Sequence, residues 1–329
     1  MLRRYKILLI ITLLGSMPML GAAAGSDLTT AVTRPPVNST QDLDSVPTFG
    51  DPIRVLRYGR DVQYAYPRWS KDGKSILYQS NETGKWQIYL MDAGGAESRR
   101  VTRDTFNDNF IDWSPDNSAI AFVSDRGGDE DVYIMNVDGG HLINLSHNPA
   151  RDIHPYWSPD GNRLLFNSTR NDTSFQVYQV NRDGSGLRRL SYTTDNITCA
   201  RLSPDGQRMI MLRAYQGIND EVFLSNSDGT NPQNLTNSEA AEGWPAWWPD
   251  GTRIVFSSKR SGGFRLFSMR PDGSQVSEFT HSQAPWDDGR AMVSPDGATL
   301  VFNRQRGESI AIVSMPLLDG PKKPDSSRK

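Results

Sequence analysis

The stretch Trp157-Ser-Pro-Asp-Gly-Asn-Arg-Leu-Leu-Phe-Asn167 joins a tight polar turn to a short apolar run. Asp-Gly supplies the turn, because glycine takes left-handed backbone angles without steric cost. Arg163-Leu-Leu-Phe-Asn167 then reads as a β-strand. The turn phrase returns as Trp69-Ser-Lys-Asp-Gly73, Trp113-Ser-Pro-Asp-Asn117, Leu202-Ser-Pro-Asp-Gly206, Trp247-Trp-Pro-Asp-Gly251 and Val293-Ser-Pro-Asp-Gly297. Its aspartates stand at 72, 116, 160, 205, 250 and 296, at intervals of 44 to 46 residues. A fixed period of this size marks a repeat array or a propeller.

Each unit continues in the same way. A second run such as Asp131-Val-Tyr-Ile-Met135 follows, then another Asp-Gly, then a short strand ending in Leu-Thr or a close variant, as in Asn144-Leu-Ser and Asn234-Leu-Thr. Four short strands per unit, repeated six times, predict an all-β fold: a six-bladed β-propeller of four-stranded antiparallel blades. The sixth unit stops after Ile310-Ala-Ile-Val-Ser314, and a surplus strand, Ile53-Arg-Val-Leu-Arg57, precedes the first. That N-terminal strand is expected to complete the last blade and close the ring, which removes free sheet edges.

The 36 Lys+Arg against 38 Asp+Glu in 329 residues give a net charge of −2, which offers no basic footprint for nucleic acid. One Cys excludes an internal disulfide and a Cys-based zinc site. Residues 1–24 combine Arg3, Arg4 and Lys6, the apolar run Ile7–Leu14 and a final Ala-Ala-Ala, the pattern of a secretory signal peptide. Its removal leaves a net charge of −5 and a chain that does not span the membrane. Residues 25–50 and 319–329, poor in large apolar groups, are expected to be disordered tails around a propeller at 51–318. Seven Asn-x-Ser/Thr sequons, at Asn38, Asn81, Asn144, Asn167, Asn171, Asn196 and Asn234, matter only in a eukaryotic secretory pathway.

At the Trp-Ser-Pro-Asp-Gly phrase and the later Asp-Gly, the chain resembles the TolB-type propeller repeat, over about Pro52 to Ser314. The family includes periplasmic cell-envelope proteins, the propellers of some serine peptidases, and pectate-fragment lyases. The resemblance therefore implies a periplasmic or secreted location and a protein or peptide partner in the cell envelope. TolB carries an α/β domain before its propeller, for which about 27 residues leave no room here. The peptidases need a Gly-x-Ser-x-Gly elbow, and no such motif occurs in the chain. The lyases resemble a metal site built from several His. Of His141, His147, His154 and His281, only His154 falls near the central axis, as a weak candidate metal ligand or as a hydrogen-bonded residue. Cys199 occupies the same repeat position and reads as a small buried hydrophobe. No catalytic residue is expected.

Eight residues before each turn Asp stand Tyr64, Asp108, Asp152, Ile197, Glu242 and Asp288; ten residues after it stand Glu82, Arg126, Arg170, Tyr215, Arg260 and Arg306. Both positions fall on one rim, and the same four units carry both the acid and the Arg. Such matched variation points to contact, so four rim ion pairs are expected, with a calcium site on the carboxylates as the alternative. Exposed pairs of this kind add about 0–1 kcal/mol each. Units one and four break the pattern. Their Tyr64, Tyr66, Ile197 and Tyr215, with neighbouring Phe110, Trp244 and Trp286, are candidates for an aromatic partner-binding trough across that face. The expected function is that of a monomeric, non-catalytic binding module without a cofactor. The alternative is a carbohydrate-processing, lyase-like or metal-dependent enzyme with its site at the channel mouth.

Overall fold

The computed structural model describes residues 53–215, 219–281 and 285–317; the expected signal peptide at 1–24 and the expected tails at 25–50 and 319–329 lie outside the described residues. Among the described residues, strands assemble into six four-stranded antiparallel sheets. Blade 1 holds Tyr64–Trp69, Ser75–Ser80, Gln87–Asp92 and Ser98–Arg100, from the axis outward. Blades 2 to 5 begin at the axis with Asp108–Trp113, Asp152–Trp157, Ile197–Leu202 and Glu242–Trp247. Blade 6 combines Asp287–Val293, Thr299–Arg306 and Ser309–Pro316 with the N-terminal strand Arg54–Arg57. Arg54 lies opposite Ser314 and Val55 opposite Val313, so the ring closes through the surplus strand. Each innermost strand packs against the innermost strand of the next blade, with blade 6 also meeting blade 1.

The repeat phrase has a local physical basis. The Ser158 N–H donates to the Arg163 carbonyl, and its hydroxyl donates to Asp160 Oδ1 at 2.5 Å. Gly161 reverses the chain with φ at +70°. The same Ser–Asp bond recurs in blades 1, 2, 4 and 6. In blade 5 Trp248 replaces the serine, and Thr252 bonds Asp250 instead. The Leu-Thr phrase is equally specific. The hydroxyls of Thr102, Ser146, Ser191, Thr236 and Thr280 accept the N–H of Ile88, Val132, Val177, Val222 and Leu266. A side-chain oxygen thus satisfies a backbone donor where the short outer strand has ended. The core lies between blades. Phe166 and Leu164 of blade 3, for example, pack against Ala121, Val123 and Val132 of blade 2. Second strands such as Ala119–Ser124 are buried along their whole length, which explains their unbroken apolar runs.

Candidate functional site

Every innermost strand breaks its ladder register after its second or third residue. At each break one non-glycine residue adopts a left-handed backbone: Tyr66, Phe110, His154, Cys199, Trp244 and Arg290, with φ between 45° and 56°. Left-handed angles cost a residue with a Cβ about 1–2 kcal/mol. Such angles persist only where the surroundings over-determine them, and a bulge re-aims a side chain. Neighbouring blades supply part of that constraint. Asn303 Oδ1 accepts the Tyr66 N–H at 3.0 Å, Gln79 Oε1 accepts the Phe110 N–H at 2.9 Å, and Asn167 Nδ2 donates to the Ile197 carbonyl at 2.9 Å. All six residues stand six positions before a turn Asp.

The bulges bring these side chains together on the axis. Phe110 meets Tyr66 and His154 edge-on, with ring centres 5.2 and 4.5 Å away. The Tyr66 hydroxyl lies 3.3 Å from His154 Nε2, and Cys199 Sγ lies 3.9 Å from His154 Nδ1. The Arg290 guanidinium sits 4.4 Å from the ring centres of both Tyr66 and Trp244. Trp244 in turn lies against Gly289, where a Cβ would come within 2.8 Å of its ring. Phe110, His154, Trp244 and Arg290 are half-buried, so solvent reaches the axis. Desolvation, and then the charges of Arg290, Arg201, Arg68 and Arg151, push the His154 pKa down to about 3. Burial also pushes the Cys199 thiol up. The pair is therefore a neutral imidazole beside a protonated thiol. His154 and Cys199 belong to consecutive repeats, 45 residues apart, and meet because the ring sets their innermost strands side by side.

Two residues further along lies a second set: Arg68, Asp112, Tyr156 and Arg201. Arg68 is 1% exposed, and its Nε is 3.8 Å from Asp112 Oδ1. The Tyr156 hydroxyl accepts from Arg201 at 2.8 Å and from Arg68 at 3.5 Å. Sequence reasoning missed this set and Arg290, although both occupy fixed columns of the repeat, four and six residues before the turn Asp.

On the rim, Arg126 reaches Asp108 at 2.8 Å, Arg170 reaches Asp152 at 2.7 Å and Arg260 reaches Glu242 at 2.9 Å. The carboxylates are buried rather than exposed, so the small stability expected for surface pairs does not describe them. Blade 6 departs from the pattern. Asp288 is bonded by Arg304, Nε to Oδ1 at 2.6 Å and Nη2 to Oδ2 at 2.8 Å, while the exposed Arg306 lies over the Trp286 ring. The cause is local. In blades 2, 3 and 5 a serine faces the acid, and its hydroxyl accepts Nε of the Arg two residues on. Arg304 takes that serine's place directly opposite Asp288. The missing Ser-x-Arg phrase was the available signal.

The proposed trough is also redrawn. Ile197, 4% exposed, belongs to the core between blades 3 and 4 with Leu165 and Met211. Tyr64 is half-buried and donates to Glu82 Oε2 at 3.2 Å. Tyr215 ends its strand opposite Asn219, and its side chain lies outside the description. Trp286 is half-buried, and its carbonyl accepts from Arg265 Nη1 at 2.6 Å. The accessible aromatic surface is therefore axial, made of the half-buried Phe110 and Trp244, with Tyr66 buried against Phe110. Among the described residues, no three His, Cys, Asp or Glu side chains are grouped to hold a metal ion, and no helix is long and apolar enough to cross a membrane.

The sequence profile of the TolB beta propeller domain matches residues 59–146, 112–220 and 196–323. The chain belongs to the TolB-type β-propeller family. Among solved structures, this TolB-type propeller is similar to putative TolB from Agrobacterium tumefaciens, at 22% identity over 80% of this chain and 93% of that one (TM-score 0.64). It is similar to TolB from Acinetobacter baumannii at 20% identity over 78% of this chain (TM-score 0.56), and spans 55% of that protein's length. An oligogalacturonate lyase in complex with manganese is similar at 14% identity over 81% of this chain and 93% of that chain (TM-score 0.58). No curated protein matches the sequence. Likeness at these identities establishes the shared fold.

Proposed function

We propose that this TolB-type propeller is an exported, periplasmic module that binds a protein or peptide at its axial face without catalysing a reaction. The observation that carries the reading is the set of left-handed bulges that converge Tyr66, Phe110, Trp244 and Arg290 on the axis. Aromatic side chains and arginine supply most of the energy at binding hot spots, and rings locked before binding lose little entropy on binding. His154 and Cys199 support the non-catalytic reading, because a cysteine nucleophile needs the thiolate that this neutral pair does not provide. A carbohydrate-processing reading rests on likeness of fold alone.

Panning a random-peptide library against the mature protein tests this. Enriched peptides should bind with about micromolar Kd, and Phe110→Ala with Trp244→Ala should weaken them at least tenfold. Enrichment of peptides that bind the double variant equally well would place the binding surface elsewhere.

A further inference from the structure

The charges on the axis do not balance. On the rim, arginines 126, 170, 260 and 304 each hold a buried carboxylate of their own blade. Arg213 likewise holds Asp195 at 2.7 Å. On the axis stand three arginines, Arg68, Arg201 and Arg290, and Asp112 is the one carboxylate within ion-pair distance of any of them among the described residues. Burial pushes the pKa of that carboxylate up, and His154 remains neutral. Even with Asp112 ionised, three arginines against one carboxylate leave two positive charges in excess.

The three guanidinium groups are close together. Arg68 and Arg201 both donate to the Tyr156 hydroxyl, and Arg68 and Arg290 both lie near the Tyr66 ring, at 5.4 and 4.4 Å. Nε of all three is buried and meets no hydrogen-bond acceptor among the described residues. Arg68, the deepest, is almost wholly buried, while Arg201, Asp112 and Arg290 are half-buried and reached by solvent. A planar guanidinium presents a fork of donors that fits a carboxylate or phosphate edge, and a hydroxyl held between two of them can donate its own proton to the same anion. The Tyr66 and Tyr156 rings lie against these guanidinium groups, and the lower local dielectric beside them strengthens each charge–charge contact.

We propose that the propeller axis is a binding site for a small oxyanion, held by Arg68, Arg201 and Arg290 with the Tyr156 hydroxyl. Carboxylates and phosphates share the required chemistry. The site shares Arg290 with the peptide-binding reading but does not need Phe110 or Trp244, whose variants in the library experiment test that reading separately.

Titration calorimetry on the mature chain, in a low-salt zwitterionic buffer, provides the test, with inorganic phosphate in one arm and succinate in the other. At least one should bind saturably with submillimolar Kd, and the arm that binds more tightly identifies the class. Arg201→Gln and Arg290→Gln should each weaken binding at least tenfold, while Lys71→Gln, on an exposed turn, should not change it. Because an axial variant could fold poorly, Tyr156→Phe provides a milder second probe and should weaken binding several-fold. Absence of saturable binding of both anions up to 10 mM, about tenfold above the submillimolar range, would overturn the proposal. So would equal affinity in wild type and in folded Arg201→Gln, Arg290→Gln and Tyr156→Phe.

Discussion

Arg304 and Arg306 lie two residues apart on one strand and are predicted to behave very differently when replaced. Arg304 is 2% exposed and makes two bonds, of 2.6 and 2.8 Å, to the fully buried carboxylate of Asp288. Arg304→Met keeps the length and apolar stem of the side chain but strips a buried charge of its partner, a loss of about 3–5 kcal/mol. Arg306 is exposed and contributes a cation–π contact with Trp286 at 5.7 Å, worth about 0.5–1 kcal/mol. In a domain of this size each kcal/mol moves Tm by about 2–4 °C. Arg304→Met should therefore lower Tm by roughly 6–20 °C and Arg306→Met by at most about 4 °C. Calorimetric melting of both variants measures this. A cycle adding Asp288→Asn should recover at least about 1 kcal/mol in the double variant, because neighbours in one ion pair are not additive. Equal losses from the two arginines, or a larger loss from Arg306→Met, would refute the assignment of Arg304 as the rim partner in blade 6.

Gly229 and Gly84 have nearly the same φ, +87° and +85°, but an added Cβ at Gly229 would overlap the Leu190 carbonyl oxygen while that at Gly84 meets nothing. Gly229→Ala should cost at least about 2 kcal/mol more than Gly84→Ala in urea unfolding, because only one of them adds a backbone clash to the strain. His154 has a folded pKa of about 3 against an ordinary value of 6.5, so the unfolded chain takes up the proton first as pH falls. Stability should drop below about pH 6.5, and His154→Gln should lessen that drop by roughly 2–3 kcal/mol by pH 4. Asp220, pushed up to about 6 by burial and by Glu221, acts in the opposite direction, gaining stability as pH falls through 6, so the comparison is read between variant and wild type. Calcium at millimolar concentration should leave Tm unchanged, since Asp108, Asp152, Glu242 and Asp288 are each bonded to an arginine.

Much of the rim could be read from the sequence because each pair lies within one repeat. Asp152 and Arg170 stand 18 residues apart, at the two ends of a hairpin whose length the Asp-Gly turn sets. The same reading misplaced Arg306, because it aligned columns by count and overlooked Arg304 in the column that holds serine in blades 2, 3 and 5. Ile197 was placed on the surface by its repeat position. The packing of blade 4 on blade 3 puts it in the core instead, in a column whose acids Asp108, Asp152, Glu242 and Asp288 are buried as well.

By itself, the sequence determined the strands, the number of blades and the strand that closes the ring. Those features follow from turn chemistry and alternation within about 45 residues, where neighbours in the chain are neighbours in space. Tertiary structure alone decided the axis. Tyr66 and His154 are 88 residues apart, and Arg68 and Tyr156 are also 88 apart. They meet because six bulged strands point inward at one line, and whether charges balance there depends on which side chains the closed ring brings together.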